Sequence, residues 1–76
     1  MNKYQRKELE RANDLLEEAK EIISRVKDEE QDKYDNLPEG LQNTNANKKL
    51  EENADELDDI ETNLLDVIRD LLSVTQ

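Results

Sequence analysis

The chain contains no cysteine, histidine, tryptophan or phenylalanine, and it has one glycine and one proline. Without cysteine it cannot form disulfides, perform thiol chemistry or bind a metal through thiolates. Without histidine it lacks the side chain that most often transfers protons at neutral pH, so Ser24 and Ser73 have no imidazole to activate them. We therefore expect a protein that is not an enzyme and that uses no cofactor and no metal ion.

Long apolar runs are absent as well. No stretch approaches the roughly 18 apolar residues of a membrane-spanning helix. No apolar segment follows Met1 as it would in a signal peptide. The sequence thus predicts a cytoplasmic protein that does not bind membranes. Its 76 residues are enough for one domain, 1–76.

Acidic residues outnumber basic ones, 21 to 11. Charged residues make up 42% of the chain, hydrophobic residues 33%, and the formal net charge is -10. This balance disfavours direct binding to nucleic acid or anionic lipid, which attract Lys and Arg, and it favours a basic protein partner or simple solubility. High charge with few aromatic residues is also typical of disordered chains, so the apolar periodicity has to decide between the two.

Apolar residues recur at spacings of three and four in two segments, which predicts two amphipathic helices with heptad seams. The first seam comprises Leu9, Ala12, Leu16, Ala19, Ile23 and Val26. The second comprises Leu50, Leu57, Ile60, Leu64, Val67, Leu71 and Val74, with Asn53 at one inward position. Asn2, followed by Gln5, is typical of an N-cap with its capping-box partner. We predict a first helix over about residues 3–35 and a second over about 44–74.

Residues 36–43, between the two helices, contain the helix-breaking residues. Pro38 cannot continue the hydrogen-bond ladder of a preceding helix. Gly40 can adopt the positive φ that a chain reversal often needs. Leu37 and Leu41 are expected to cover the closed end of the core.

Two helices of equal length joined by a short connection predict an all-α, antiparallel, coiled-coil-like two-helix hairpin. Thr44 or Asn43 is the expected N-cap of the second helix. The alternative is one continuous helix that Pro38 only kinks.

Both apolar stripes are wider than a two-helix hairpin requires. The additional residues are Leu15, Ile22, Leu65, Ile68 and Leu72. In a monomer these side chains would be partly exposed, and exposed apolar surface of this kind is typical of an interface. We therefore predict self-association through these residues, as a homodimer that forms a four-helix bundle. The alternative is a hairpin that is stable as a monomer.

Acidic residues concentrate in the second half of the chain. Residues 51–66 contain eight acids and no base, and we call these eight residues the acidic ridge: Glu51, Glu52, Asp55, Glu56, Asp58, Asp59, Glu61 and Asp66. The simpler interpretation is a solvated helix face. The sharper interpretation is a ridge that imitates a nucleic-acid backbone, because eight carboxylates over ~24 Å of helix give one charge per ~3 Å. Such a ridge would bind the basic groove of a nucleic-acid-binding protein.

The segment around the turn resembles a known group of proteins. It contains Asp28-Glu29-Glu30-Gln31, then Tyr34-Asp35-Asn36-Leu37-Pro38-Glu39-Gly40-Leu41-Gln42, then Thr44 and an acidic amphipathic helix. This is similar to small bacteriophage and mobile-element proteins in which an EEQ…LPE-LQ-S/T signature joins two helices. The likeness covers residues 20–72 and departs at Asn47, where the family often carries Gly. It implies a helical hairpin of phage origin and favours host-directed inhibition.

Three functions follow as hypotheses. The first is a non-enzymatic interaction module of phage type that binds a host or phage protein in the host cytoplasm. The second is an acidic, nucleic-acid-mimicking inhibitor of a host nucleic-acid enzyme or defence system, of the anti-restriction or anti-CRISPR kind. The third is a structural assembly adaptor, whose apolar surface would face a different chain.

Overall fold

The structure, a computed structural model, describes residues 1–76, and its regular elements are all helices. Helix α1 spans Lys3–Asp35, α2 spans Glu39–Gln42 and α3 spans Asn45–Thr75. The two long helices pack against each other as an antiparallel hairpin whose Cα atoms extend over 59 × 15 × 14 Å. The all-α hairpin expected from the sequence is confirmed. None of the helices combines the length and apolar character that crossing a bilayer requires.

Side-chain caps set where the long helices begin. Asn2 Oδ1 accepts a hydrogen bond from the Gln5 backbone N–H at 2.7 Å, and Gln5 Oε1 accepts one from the Asn2 N–H at 3.0 Å. This reciprocal pair is the capping box predicted for α1. At the start of α3, Thr44 Oγ1 accepts from the Asn47 N–H at 3.4 Å, so Thr44, and not Asn43, is the cap.

The reversal between the long helices is built from a short helix and not from a left-handed residue. Pro38 (φ -55°, ψ 143°) and Thr44 (φ -75°, ψ 150°) have extended backbones on either side of α2. These two extended residues turn the chain, so no residue has a positive φ. The expectation of a positive φ at Gly40 is therefore wrong, because Gly40 lies inside α2.

Amide side chains hold the turn together. Gln42 Nε2 donates to the carbonyl oxygens of Tyr34 at 3.2 Å and Leu37 at 3.3 Å. Asn47 Nδ2 donates to the Leu41 carbonyl at 3.0 Å. The Tyr34 and Leu41 carbonyls also accept backbone N–H groups, from Leu37 at 3.1 Å and from Thr44 at 3.2 Å. The side-chain amides therefore reinforce a turn that backbone hydrogen bonds already close. Leu37 is half-buried, whereas Leu41 is exposed, so of the two leucines expected at the closed end of the core only Leu37 packs there.

The two long helices meet along a heptad seam whose rotational phase differs from the predicted one. On α1 the residues facing α3 are Leu9, Asn13, Leu16, Lys20, Ile23, Lys27, Glu30 and Tyr34. On α3 they are Asn47, Leu50, Ala54, Leu57, Glu61, Leu64, Ile68, Leu71 and Thr75. We call these residues the contact seam. The leucines of α3 occupy it as expected, but Ile60, Val67 and Val74 are exposed, and their places are taken by Glu61, Ile68 and Thr75.

The fully buried core is small. Ala54 and Ile68, each 3% exposed, are the only buried residues among the 76. Both belong to α3 and both lie in the contact seam. The expectation that Ile68 is partly exposed and available for self-association is therefore wrong, because α1 covers this side of α3.

The contact seam can be tested by truncating Ile68. Ile68→Ala should lower the free energy of unfolding by about 2–5 kcal/mol, the usual cost of removing a buried isoleucine side chain. Leu72→Ala is the control, because Leu72 is 43% exposed and should lose about 1 kcal/mol or less. Urea unfolding followed by circular dichroism, at one protein concentration, measures both. Equal losses would show that Ile68 does not face α1.

Candidate interaction surfaces

A layer of two antiparallel helices has two broad faces, one on each side of the contact seam. Residues three positions after a seam leucine lie about 50° round the helix axis from it. Because α3 runs opposite to α1, residues 12, 19 and 26 of α1 and residues 60, 67 and 74 of α3 rotate towards the same face. The structure shows this directly, since Val26 and Ile60 line one shallow groove together.

We call this side of the hairpin the front face. Its residues are Ala12, Leu15, Ala19, Ile22 and Val26 of α1 and Ile60, Val67 and Val74 of α3. Its large side chains are all exposed. The cross-helix neighbours Glu30–Asn53 and Lys27–Asp58 fix the register. In that register Val26 lies level with Ile60, Ala19 with Val67 and Ala12 with Val74, so the middle of the front face carries apolar rows on both helices.

The opposite side, the rear face, is mainly polar. Its residues are Glu10, Glu17, Ser24 and Gln31 of α1 and Glu51, Asp58, Leu65 and Leu72 of α3. At the open end Leu72 and Glu10 share a groove with Asn13, whose buried Oδ1 has no hydrogen-bond partner. Near the turn, burial raises the pKa of Tyr34, and the adjacent Glu51 carboxylate adds to the rise.

The five residues predicted for self-association are not brought together. Leu15 and Ile22 lie on the front face, Leu65 and Leu72 lie on the rear face, and Ile68 is inside the contact seam. The width of the stripes on the sequence could not show on which side of the hairpin each residue would lie.

The acidic ridge is spread around the outward half of α3. Seven of its eight residues are exposed, and Glu61 is turned into the contact seam. Glu51 and Asp58 lie on the rear face, and Glu56 lies at the rim of the front groove. The remaining four follow the edge of α3 that points away from α1, and we call them the outer acidic row: Glu52, Asp55, Asp59 and Asp66. None of these four takes part in an ion pair.

Lys27 makes the only ion pairs between the two helices. Its Nζ lies 3.1 Å from Glu61 Oε2 and 3.3 Å from Asp58 Oδ1. The contact with Glu61, followed by that with Asp58, raises the pKa of Lys27 above its usual value. Lys27 thus neutralises part of the acidic ridge, and six of the eight carboxylates are left without a cation.

A polar junction ends the apolar part of the front face near the turn. Asn53 Nδ2 donates to Glu30 Oε2 at 3.3 Å, and Lys33 Nζ lies 3.2 Å from Glu30 Oε1. The hydrogen bond from Asn53 is the main cause that lowers the pKa of Glu30, and the hydrogen bond from Lys33 lowers it further. Glu30 and Asn53 also line the front groove beside Val26.

The chemistry of these surfaces is that of shallow, extended contacts. No group of three or more Asp or Glu side chains is arranged to hold a metal ion. One face offers aliphatic side chains and one edge offers a row of free carboxylates. Both are suited to macromolecular surfaces, one apolar and the other basic.

Comparison with protein-family models, with curated proteins and with solved structures gives no match. The resemblance to phage proteins around the turn stays a prediction. The structure does give residues of that signature a local role, since Gln42 binds carbonyls at the end of α1 and Thr44 caps α3.

The ion pairs of Lys27 can be tested with a double-mutant comparison. Lys27→Met should lower the urea midpoint of unfolding, because it leaves the half-buried Glu61 carboxylate without its cation. Adding Glu61→Met should restore part of the loss, since a well-packed apolar pair often replaces an ion pair without cost. Lys33→Met is the control, because its pair with Glu30 lies within α1 and should contribute little. A double variant less stable than Lys27→Met alone would contradict this role.

Proposed function

We propose that the chain is a non-enzymatic protein-interaction module that works as a homodimer, in which two hairpins pack into a four-helix bundle. One observation carries the proposal. The hairpin buries two residues while eleven large apolar side chains remain exposed: Met1, Tyr4, Leu15, Ile22, Val26, Leu41, Ile60, Leu65, Val67, Leu72 and Val74.

The energetics of small helical proteins support association. Long helices in water depend on burying an apolar face, because propensity alone stabilises them weakly. A chain of this size with one narrow seam falls short of the core that stable small domains need, and oligomerisation is one common remedy. A second copy would cover apolar surface that α1 and α3 cannot cover for each other.

The partner of the dimer is, on this proposal, a host or phage protein with a basic surface, met in the host cytoplasm. The net charge of -10 supports a basic partner and disfavours nucleic acid. The outer acidic row lies away from α1 and away from the front face. It therefore stays accessible in a four-helix bundle.

Sedimentation equilibrium tests the dimer. Over a concentration series the mass should approach twice the 8.9 kDa of one chain. On dilution, mass and helical circular dichroism should fall together, because association and folding are linked. A monomeric mass with full helicity at every concentration would refute the homodimer. It would favour the assembly adaptor instead, in which a different chain covers the apolar surface.

A second function, an acidic inhibitor that occupies a basic nucleic-acid groove, is supported by a separate observation. Six carboxylates of the acidic ridge have no cation and lie along ~22 Å of α3, about one per 4 Å. A single nucleic-acid strand presents one phosphate per ~3.4 Å. The spacing is close enough for the outward half of α3 to substitute for a strand.

Neutralising the outer acidic row tests this second function. Glu52→Gln, Asp55→Asn, Asp59→Asn and Asp66→Asn together should abolish capture of basic proteins from host lysate and leave the dimer mass unchanged. Bound proteins should elute with moderate salt and with a DNA oligonucleotide, because the contacts are electrostatic.

The matched control removes four exposed carboxylates from α1 instead: Asp14→Asn, Glu18→Gln, Glu21→Gln and Asp28→Asn. This variant has the same net charge as the first and should still capture the proteins. Equal loss in both variants would attribute capture to overall charge. Undiminished capture by the first would rule out mimicry by the outer acidic row.

A further inference from the structure

We propose that the front face is the surface through which two copies of this chain associate. In this arrangement the turns lie at opposite ends and the twofold axis passes near Ala19, so that α1 packs on α1 and α3 on α3. The inference rests on the homodimer proposed above and assigns its interface. It excludes Leu65 and Leu72, which lie on the rear face.

The direction of the apolar seams is the first observation that supports the front face as the interface. In a coiled coil of only two helices, both a/d seams point at the opposite helix. Here each seam is rotated by about 50° towards the front. On the rear side of the contact seam α1 presents Asn13, Lys20 and Lys27. Apolar rows that converge in front of the pair, with charged residues between neighbouring helices, are typical of a four-helix bundle.

The second observation is the difference in composition between the front face and the rear face. The rear face presents carboxylates from both helices, Glu10 and Glu17 from α1 and Asp58 from α3. Packing two rear faces together would place like charges opposite one another and desolvate them. The front face has aliphatic side chains at the corresponding positions. Asn63 and Asp70 border them on the outer side of α3, and the other charges lie at the rims and at the end near the turn.

The third observation is the order of large and small front-face residues along α1. A twofold interface must be complementary to itself. About Ala19, the front residues of α1 are nearly palindromic: Leu15 mirrors Ile22, and Ala12 mirrors Val26. With the turns at opposite ends, Leu15 of one copy meets Ile22 of the other, and small Ala12 meets larger Val26. Ala19 meets its own copy, where a small side chain permits close approach.

The opposite orientation does not provide these matches. With both turns at one end, α1 of each copy would lie on α3 of the other. The register then places exposed Leu15 beside Asp70 and exposed Ile22 beside Asn63, so that apolar side chains meet polar ones. In the proposed orientation Asn63 and Asp70 instead face each other across the α3–α3 contact.

The size of the front face is sufficient for a stable dimer. Two helices about 10 Å apart and ~45 Å long present a face of roughly 900 Å². Standard interfaces bury about 800 Å² per partner. The apolar rows occupy the middle of this area, from the level of Ala12 to that of Val26, and charged residues surround them, as in other protein interfaces.

Two variants of α3 test the face. Val67→Lys, on the front, should convert the dimer to monomer, whereas Leu65→Lys, on the rear and two residues away, should leave its mass unchanged. Both residues are exposed in the hairpin. The Val67→Lys monomer should lose helical circular dichroism together with mass, because association and folding are linked, whereas Leu65→Lys should keep both. A wild-type dimer that resists Val67→Lys but dissociates with Leu65→Lys would overturn the assigned face and leave the homodimer standing. A monomeric wild type would overturn the homodimer itself.

A third variant tests the orientation and does not disturb the interface. The chain has no cysteine, and a Cβ at Gly40 would meet no atom within 4 Å. A spin label on Gly40→Cys therefore reports the distance between the two turns. Turns at opposite ends should give a separation of about 50 Å or more, the length of α1 at ~1.5 Å per residue. A separation under half that value would overturn the orientation.

Discussion

The angular width of the apolar stripe on α3 constrains everything else in this protein. Aliphatic side chains flank the seam leucines Leu57 and Leu64 on both sides, so a single neighbouring helix cannot cover them all. Helix α1 covers the side that contains Ala54 and Ile68, and the side that contains Ile60 and Val67 stays open. The hairpin therefore exposes an apolar face to solvent although its two long helices pack against each other.

The surface along which α1 and α3 contact each other is more polar than the apolar front face. Lys20, Lys27 and Glu61 lie among the seam leucines, and the ion pairs of Lys27 link the two helices in the half of α1 nearer the turn. Ion pairs at such half-exposed positions stabilise a helix pair modestly and contribute more to register. The contact seam fixes how α1 and α3 are aligned, and the apolar side chains of the front face stay exposed.

The distribution of charge follows from the same geometry. The edge of α3 that carries Glu52 and Asp59 faces neither α1 nor the apolar rows, so carboxylates there keep their hydration. Around the turn, Gln42 and Asn47 add side-chain hydrogen bonds to the carbonyls of Tyr34, Leu37 and Leu41. The signature of the turn thus has a structural explanation, and the candidate binding chemistry lies on the helices.

The sequence alone determined the helices, because capping and periodicity are local: Asn2 and Gln5 start α1, Pro38 prevents its continuation, and alternating three- and four-residue spacings define both stripes. It also determined where acidic residues concentrate. Only the tertiary structure decided which flank of each stripe is inside. Two heptad phases share Leu57 and Leu64, and they differ in whether Ile68 or Val67 faces the neighbour. Spacing is identical in both, so the choice depends on the side from which α1 approaches, which is a relation between distant parts of the chain.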